Sequence, residues 1–256
     1  MSRSEKVSFA GTTGEMLSGI LDVPDGPVKG WGVFSHGFTL GKDSPAASRM
    51  CKALADNGVG MLRFDNLGLG ESAGSWSEGS FSHKVADTVR AAEFMRREGK
   101  EISLLVGHSF GGAAVLAAAQ HIPELDAVAT VAAPFSPKHV AHVFDAALDR
   151  ILSEGSAEVD LGGKIVEIRR HFVEDLENAD LTDCITKLHR PLIVLHSPTD
   201  NTVGIENAST IFRTARHPRS FVSLEGSDHL LTGKGQAARA AKIISAWADQ
   251  YLDAGR

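Results

Sequence analysis

Cysteine is scarce in this sequence. Cys51 and Cys184 are the only two among 256 residues, which is too few for a disulfide framework and lacks the spacing of a zinc site. The opening stretch MSRSEKVSFAGTTGE is polar and has no apolar core of the kind found in signal peptides. No uninterrupted apolar run is long enough to span a bilayer. These absences predict a cytoplasmic protein with no membrane partner.

Positive charge is not in excess either. Lys and Arg number 26 against 32 Asp and Glu, which gives a formal net charge of −6. A nucleic-acid surface needs a cluster of basic residues, and the chain has none, so we expect no nucleic-acid partner. The 43% of hydrophobic residues is ordinary for a globular protein and is enough for a sizeable core.

The sequence is rich in short apolar runs that alternate with amphipathic stretches. Eight runs predict strands: KVSFAG, LSGILDVP, WGVFSHG, GVGMLRFD, ISLLVG, LDAVATVAA, RPLIVLH and RSFVSLEG. Helices are expected between them, and this alternation predicts a mostly parallel sheet that is covered on both faces. The TTGE turn between the first two runs is too short for a crossover helix, so these two strands should be antiparallel.

One of the expected helices covers residues 82–98. Within it, Val85, Val89, Ala92 and Met95 recur at helical spacing and predict one apolar stripe. Ser82 is the predicted N-cap, and Gly99 is the predicted stop. Further helices are expected near 45–57 and 235–252.

A longer and more charged segment interrupts the alternation from about Pro134 to His189. VDLGGKIVEIRR is typical of a hairpin that turns at Gly162-Gly163, and VAHVFDAALDRIL and HFVEDLENA have helical patterns. The segment leaves the sheet at the carboxyl end of a strand, where open α/β sheets bind ligands. We therefore expect one α/β domain over 1–256 with a cap insertion at about 134–189, the alternative being a solvated decoration.

A serine stands between glycines at the seam of two apolar runs. Residues 107–111, GHSFG, fit the pattern G-x-S-x-G, with a predicted strand before them and a predicted helix after them. A sharp strand-to-helix turn of this kind exposes the serine hydroxyl, and its glycines permit close approach of neighbouring backbone. Ser109 is therefore predicted to be a nucleophile. The alternative is a serine that caps a buried helix.

A serine nucleophile needs a base, which in this pattern is a histidine late in the chain. His196, His217 and His229 follow the charged segment. His229 lies just past the last predicted strand, at the carboxyl edge of the sheet, whereas His217 precedes that strand. His196 ends a strand and has no acid in a suitable loop after it. His229 is therefore the predicted base.

The base in turn needs an orienting acid. Asp200 lies in SPTDNTVG, the loop after the preceding strand. Asp228 is adjacent to His229 in sequence, and neighbouring side chains rarely meet in the required geometry, so we expect it to cap or to face solvent. The predicted triad is Ser109, Asp200 and His229.

The developing oxyanion also needs hydrogen-bond donors. One is expected from the backbone N–H of Phe110, directly after the nucleophile. The second is expected from the backbone N–H of Phe38 in SHGFTLG, because His36-Gly37 permits a tight turn there. His36 is expected to organise this loop and not to act as a base.

The motifs SHGF, RFDNLGLGES, GHSFGG, SPTDNTVG and GSDHLL together resemble the α/β-hydrolase superfamily over almost the whole chain. The sequence looks most like capped serine esterases and serine-aminopeptidase-like hydrolases, and more narrowly like the hydrolase domain of bacterial hydrolase–OsmC fusion proteins. The resemblance implies the α/β-hydrolase fold, with an eight-stranded sheet, a helical cap and no cofactor. It assigns catalytic roles to Ser109, Asp200 and His229 and oxyanion positions to Phe38 and Phe110. It also implies fusion to, or association with, an OsmC-type domain.

Two other motifs suggest different functions. GLGESA at 68–73 matches the dinucleotide fingerprint, but that fingerprint opens a helix and here ESAGSWSEGS continues as a loop. His139 and His142 stand three apart on a possible helix, without a third metal ligand at a convincing spacing. We therefore expect neither a bound cofactor nor a metal.

The nature of the nucleophile indicates the chemistry. A serine forms an acyl-enzyme, and ester cleavage is the least demanding reaction because an alkoxide leaves more easily than an amine. We expect a serine hydrolase that cleaves small-molecule carboxylic esters of short-to-medium acyl chains. The alternatives are an aminopeptidase or amidase, a thioesterase or a C–C hydrolase on the same triad, or a non-catalytic ligand-binding module.

Overall fold

Strands and helices alternate along most of the chain, of which the computed structural model describes residues 2–252. The strands are β1 (Arg3–Ala10), β2 (Met16–Val23), β3 (Gly30–Ser35), β4 (Val59–Phe64), β5 (Ile102–His108), β6 (Ala127–Val131), β7 (Ser156–Asp160), β8 (Ile165–Arg169), β9 (Leu192–His196) and β10 (Arg219–Ser223). The α-helices are α1 (Pro45–Asp56), α2 (Phe81–Arg97), α3 (Phe110–Ala118), α4 (Leu148–Glu154), α5 (Arg170–Asn178), α6 (Thr182–Thr186), α7 (Ile205–Thr214) and α8 (Gln236–Ala248). Segments of 3₁₀ helix cover Trp76–Glu78, Ala119–His121 and Pro137–Ala147.

The main sheet has eight strands in the order β1-β2-β4-β3-β5-β6-β9-β10. From β4 to β10 in that order every neighbouring pair is parallel, whereas β2 is antiparallel to both β1 and β4. The mostly parallel eight-stranded sheet and its antiparallel first pair are thus confirmed. The parallel strands end at one edge, so the loops after β3, β5, β9 and β10 meet there.

Helices cover both faces of this sheet. On one face α1 and α8 pack through Met50, Leu54 and Ile244, and on the other α2 and α3 pack through Met95 and Val115. All five side chains are fully buried. Parallel strands with both faces covered have to be apolar on both sides, which explains why the central strands β3, β4, β5, β6 and β9 are nearly continuous apolar runs.

The start of α2 differs from the sequence prediction. Ser80, and not Ser82, is the N-cap, because its hydroxyl oxygen accepts the backbone N–H of His83 at 3.1 Å. Ser82 instead hydrogen-bonds to the carboxylate of Asp175 on α5 through both its backbone N–H and its hydroxyl. The predicted N-cap at Ser82 is therefore wrong.

The buried face of α2 also differs from the predicted apolar stripe. Ala92 and Met95 are buried, but Val85 and Val89 are only partly buried. The buried positions of the helix are Phe81, Lys84, Asp87, Thr88, Ala91, Ala92 and Met95. This helix therefore turns a lysine and an aspartate towards the sheet.

The segment 134–189 between β6 and β9, called the insertion below, contains the predicted hairpin. β7 and β8 pair antiparallel with Asp160 opposite Ile165, and Gly162 and Gly163 both adopt positive φ at the turn. The predicted helix over VAHVFDAALDRIL is 3₁₀ as far as Ala147 and becomes α-helical only in α4. Phe144 has non-helical φ and ψ of −130° and 19°. This bend accompanies the burial of its ring against Phe172.

The two cysteines are far apart in this fold. Cys51 lies in the core next to α8, whereas Cys184 is half-buried on α6 of the insertion, and both thiols are free. Burial raises the pKa of each thiol. No helix between residues 2 and 252 is long and apolar enough to cross a membrane.

Candidate active site

Ser109 occupies the sharp turn between β5 and α3. Its backbone has φ 54° and ψ −126°, a combination that costs an L-residue free energy and persists only where the surroundings enforce it. A Cβ atom at Gly107 would lie 2.3 Å from the carbonyl oxygen of Gly111, and one at Gly111 would lie 2.0 Å from that of Ser35. Both glycines of G-x-S-x-G are thus required by close backbone contacts.

The structure brings the three predicted residues Ser109, Asp200 and His229 into one hydrogen-bonded line. His229 Nε2 lies 2.9 Å from Ser109 Oγ, and His229 Nδ1 lies 2.7 Å from Asp200 Oδ2. Because a carboxylate oxygen accepts, Nδ1 carries the hydrogen and donates it. The lone pair of Nε2 therefore faces the serine hydroxyl, which is the tautomer that a general base needs.

Asp200 is held in place by backbone as well as by His229. Its Oδ1 accepts the N–H groups of Thr202 at 2.8 Å and Val203 at 2.9 Å, and its side chain is fully buried. Burial alone would raise the pKa of Asp200, but the hydrogen bonds from His229, Val203 and Thr202 outweigh it and lower that pKa. The carboxylate therefore stays ionised at neutral pH.

Asp228 and His196, which the sequence analysis considered and rejected as the acid and the base, lie outside the hydrogen-bonded line of Ser109, His229 and Asp200. Asp228 is exposed and accepts the N–H groups of Leu230 and Gly233 at 3.0 and 3.1 Å, so it shapes the loop that follows His229. His196 is buried at the end of β9, 3.7 Å from Asp200 Oδ2, and donates through Nε2 to the carbonyl of Val203.

The two predicted oxyanion residues flank Ser109. Phe110 is the first residue of α3, and Phe38 follows β3 in a loop so close that a Cβ at Gly37 would touch Ser109 Cβ at 3.4 Å. Within residues 2–252, neither amide N–H donates to a backbone or side-chain acceptor. Free amide donors beside a serine hydroxyl are suited to binding a developing oxyanion.

The loop that carries Phe38 is anchored by buried charges that the sequence did not reveal. Lys42 donates its backbone N–H and its Nζ to Asp65, and its Nζ also lies 2.9 Å from Glu71. Arg63 donates to the carbonyl of Lys42 at 2.6 Å and to Asp22 at 2.8 Å. These ion pairs fasten the loop after β3 to the end of β4.

Gly70 of the dinucleotide-like motif GLGESA is explained by the same anchor. A Cβ at Gly70 would lie 2.2 Å from Asp65 Oδ2, and Gly70 has φ 54°. The motif therefore lets its loop pass against Asp65. Among residues 2–252, no three His, Cys, Asp or Glu side chains converge in a way that would hold a metal ion.

His108 is a site residue that the sequence analysis missed. It is fully buried beneath Ser109, and its Nε2 donates to the backbone carbonyl of His229 at 2.7 Å. Burial, and then the nearby His229, lower the pKa of His108 to about 4, so it is neutral at physiological pH. The only signal in the sequence was its place inside the pattern G-x-S-x-G.

A cavity of about 460 Å³ opens beside Ser109 and His229. Its apolar wall includes Phe38, Phe110 and, from the insertion, Val140. His139, His142 and Asp160 of the insertion add polar groups to the lining. A larger groove of about 750 Å³ between α2 and the α5–α6 region contains neither Ser109 nor His229.

An aromatic cluster joins the insertion to the oxyanion residues. The ring of Phe172 on α5 lies 5.8 Å from that of Phe38, 6.5 Å from that of Phe110 and 5.8 Å from that of Trp76. The rings of Phe38 and Phe110 are themselves 5.6 Å apart. Such distances are those of favourable ring contacts, so the insertion packs directly on the residues that flank Ser109.

Comparisons with known proteins identify the family and the fold of the chain. The family model described as serine aminopeptidase, S33, matches residues 26–183, which include Ser109 and end before Asp200 and His229. The esterase domain of a Rhodothermus marinus protein is 40% identical, with a TM-score of 0.79 over 98% of this chain and 99% of that one. Est1E of Butyrivibrio proteoclasticus, solved with ferulic acid, shares the fold at 17% identity and a TM-score of 0.80, over 96% of this chain and 99% of that one.

Curated relatives are more distant. The uncharacterised protein YfhR of Salmonella typhi is 24% identical over 188 residues, which make up 72% of this chain. This chain spans about 60% of the length of that relative. The resemblance to α/β hydrolases is confirmed by these comparisons, whereas the OsmC-type partner stays a prediction.

Proposed function

The chain belongs to the serine aminopeptidase S33 family of α/β hydrolases, and on that premise we propose that it is a serine-dependent carboxylesterase. Its substrates are small-molecule esters with short-to-medium acyl chains. The observation that carries the proposal is the line of hydrogen bonds from Ser109 through His229 to Asp200, at 2.9 and 2.7 Å. The 40% identity to a Rhodothermus marinus esterase domain supports the same chemistry.

The proposed cycle begins with acylation of Ser109. His229 Nε2 takes the hydroxyl proton of Ser109 while Oγ attacks the ester carbonyl carbon. The carbonyl oxygen becomes an oxyanion, stabilised by the N–H groups of Phe38 and Phe110. His229 then gives the proton to the leaving alkoxide, so the C–O bond breaks, the alcohol departs and an acyl-Ser109 remains.

Deacylation repeats these steps with water as the nucleophile. His229 accepts a proton from the water, whose oxygen attacks the acyl carbon. The second oxyanion collapses, Ser109 leaves with the proton from His229, and the carboxylic acid is released. Throughout the cycle Asp200 fixes the imidazole tautomer and stabilises its protonated form.

We assign the insertion as a cap over the site. This assignment rests on the residues that it contributes to the cavity wall, such as Val140 and Leu161, and on the contact of Phe172 with both oxyanion residues. A volume of about 460 Å³ is in the usual range for small-molecule sites. It suits short and medium acyl chains better than long ones.

Ester cleavage is favoured over aminopeptidase action. An aminopeptidase must hold a substrate ammonium with acidic side chains, and Asp160 is the one carboxylate among the described residues that line the cavity. Asp160 also shapes the hairpin turn, since its Oδ1 accepts the N–H of Gly163. The expected leaving group is therefore an alkoxide.

The deciding experiment is hydrolysis of p-nitrophenyl esters from acetate to palmitate, with aminoacyl p-nitroanilides in parallel and Ser109→Ala protein as the control. We expect serine-dependent turnover that peaks at short or medium acyl chains, together with labelling of the wild type by a fluorophosphonate. Serine-dependent turnover of the anilides alone would replace the esterase by an aminopeptidase. A wild type that neither turns over nor becomes labelled would reduce the protein to a binding module.

A further inference from the structure

A second polar cluster lies on the inner side of the oxyanion loop, and the cycle above does not use it. Lys84 and Asp87 project from α2 into the core, where they are 6% and 3% exposed. Lys84 Nζ donates to the side-chain oxygen of Asn66 at 2.6 Å. Asp87 accepts the backbone N–H of Thr12 at 2.9 Å. A lysine is almost never fully buried unless it has a partner, so its place here calls for an explanation.

The cluster is connected to the loop of Phe38 through His36. The backbone N–H of Asn66 points at His36 Nε2 at 3.4 Å, and His36 Nδ1 donates to the carbonyl of Gly37 at 2.8 Å. Gly37 immediately precedes Phe38, and the carbonyl of Gly37 belongs to the same peptide unit as the N–H of Phe38. The orientation of that peptide unit thus depends on the ring of His36.

The protonation of His36 is fixed by its surroundings. Burial, and then the charge of Lys84, hold the pKa of His36 well below its usual range. A neutral imidazole carries one hydrogen, and the carbonyl of Gly37 requires it on Nδ1. Nε2 is consequently left as the acceptor for Asn66.

A small hollow shows how close the cluster lies to the site. Its volume is about 40 Å³, and its walls include Lys84, Asn66 and both oxyanion residues, Phe38 and Phe110. Lys84 and the two predicted oxyanion residues therefore border the same small space.

We propose that Lys84 and Asn66 are positioning residues, which act through His36 to orient the Gly37–Phe38 peptide for the oxyanion. The proposal rests on the esterase function proposed above. The cluster destabilises the folded protein, because burial removes water from the Lys84 amine and lowers its pKa to about 7. Proteins commonly have lower stability where an active site requires groups to be held in an unfavourable arrangement.

Lys84→Met tests the proposal, because an unbranched apolar side chain fills the space without donating a hydrogen bond. We expect kcat for a p-nitrophenyl ester to fall by about 10- to 100-fold with KM within twofold, since a misplaced donor weakens the transition state selectively. The inhibition constant of a trifluoromethyl ketone, whose adduct with Ser109 carries an oxyanion, should rise by the same factor. Lys84→Gln, which keeps a neutral donor, should recover part of the loss.

The matched control is Arg97→Met at the exposed end of the same helix, which should behave as wild type. A folded Lys84→Met protein with kcat and ketone inhibition within twofold of wild type overturns the proposal, as does a change confined to KM. If Lys84→Met does not fold, Asn66→Leu is subjected to the same two criteria. A wild type inactive on every ester overturns the esterase function and this proposal together, whereas an active wild type isolates the role of Lys84.

Discussion

His108 and His229 lie 121 positions apart and are joined by one hydrogen bond, from His108 Nε2 to the backbone carbonyl of His229 at 2.7 Å. The residue directly before the predicted nucleophile thus fastens the backbone of the predicted base. Because burial keeps the pKa of His108 near 4, this ring is neutral and its one hydrogen is committed to the carbonyl. Because His108 is also the chain neighbour of Ser109, this hydrogen bond helps to fix the distance between His229 and Ser109.

Replacing His108 should loosen this attachment. We expect His108→Phe, which keeps a ring but cannot donate, to lower kcat at least about tenfold, because misplacement of a base by a fraction of an ångström is costly. His108→Gln places an amide N–H at a similar reach and should retain most of the activity. Steady-state kinetics on one p-nitrophenyl ester compares them, and equal rates for the Phe and Gln variants would contradict the role.

Ser109 combines the predicted chemistry with an unfavourable backbone conformation. Ser109→Ala and Ser109→Gly should both abolish serine-dependent turnover, but they should differ in stability. Alanine keeps the Cβ at φ 54°, whereas glycine relieves this strain, so the Gly variant should be more stable than the Ala variant by about 1 kcal/mol. Urea unfolding of the two proteins measures the difference, and a more stable Ala variant would rule the strain out.

Asp200 should matter for turnover and little for folding. Asn at this position can still accept the N–H groups of Thr202 and Val203 through its Oδ1, but it cannot stabilise a protonated His229. We expect Asp200→Asn to lower kcat by about 10⁴-fold, less than Ser109→Ala, while its circular dichroism spectrum is unchanged. An unfolded variant would mean that the carboxylate is a structural group first.

Lys84 should make the stability of the protein depend on pH. Burial lowers the pKa of Lys84 from 10.5 to about 7, so between these values the unfolded chain binds a proton that the folded chain has released. Stability contributed through this group therefore rises with pH from about 7 towards 10. Lys84→Met should flatten that rise and be more stable than wild type at pH 7 by at least about 1 kcal/mol.

Chemical denaturation of wild type, Lys84→Met and Arg97→Met between pH 6 and 10 tests this expectation. The exposed control should keep the slope of the wild type, since its position is solvated. Parallel curves for wild type and Lys84→Met would show that Lys84 does not titrate in this range.

The line from Ser109 to Asp200 was predictable because of topology. Each predicted residue stands shortly after an apolar run, and in a parallel sheet the carboxyl ends of such runs share one edge. A short local pattern placed Ser109, and the order along the chain then left few candidates for the other two. The order of the strands alone was enough to predict that Ser109, Asp200 and His229 lie close together.

The hydrogen-bond partners of two residues of α2, Lys84 and Ser82, were not predictable from the sequence. Lys84 lies outside the predicted apolar stripe of α2, and its partner Asn66 comes from the loop after β4. Ser82 resembled an N-cap, yet its hydroxyl is taken by Asp175, 93 positions away. Both outcomes depend on long-range partners, which local periodicity does not contain.

The ring of Phe172 has a consequence for protein engineering. It belongs to the insertion, yet it contacts the rings of Phe38 and Phe110, whose amides are the proposed oxyanion donors. If the proposed function holds, we expect changes in the insertion to alter both substrate choice and catalytic rate. A chimera whose foreign insertion lacks an aromatic ring at this place is expected to have both a changed pocket and less firmly held oxyanion residues.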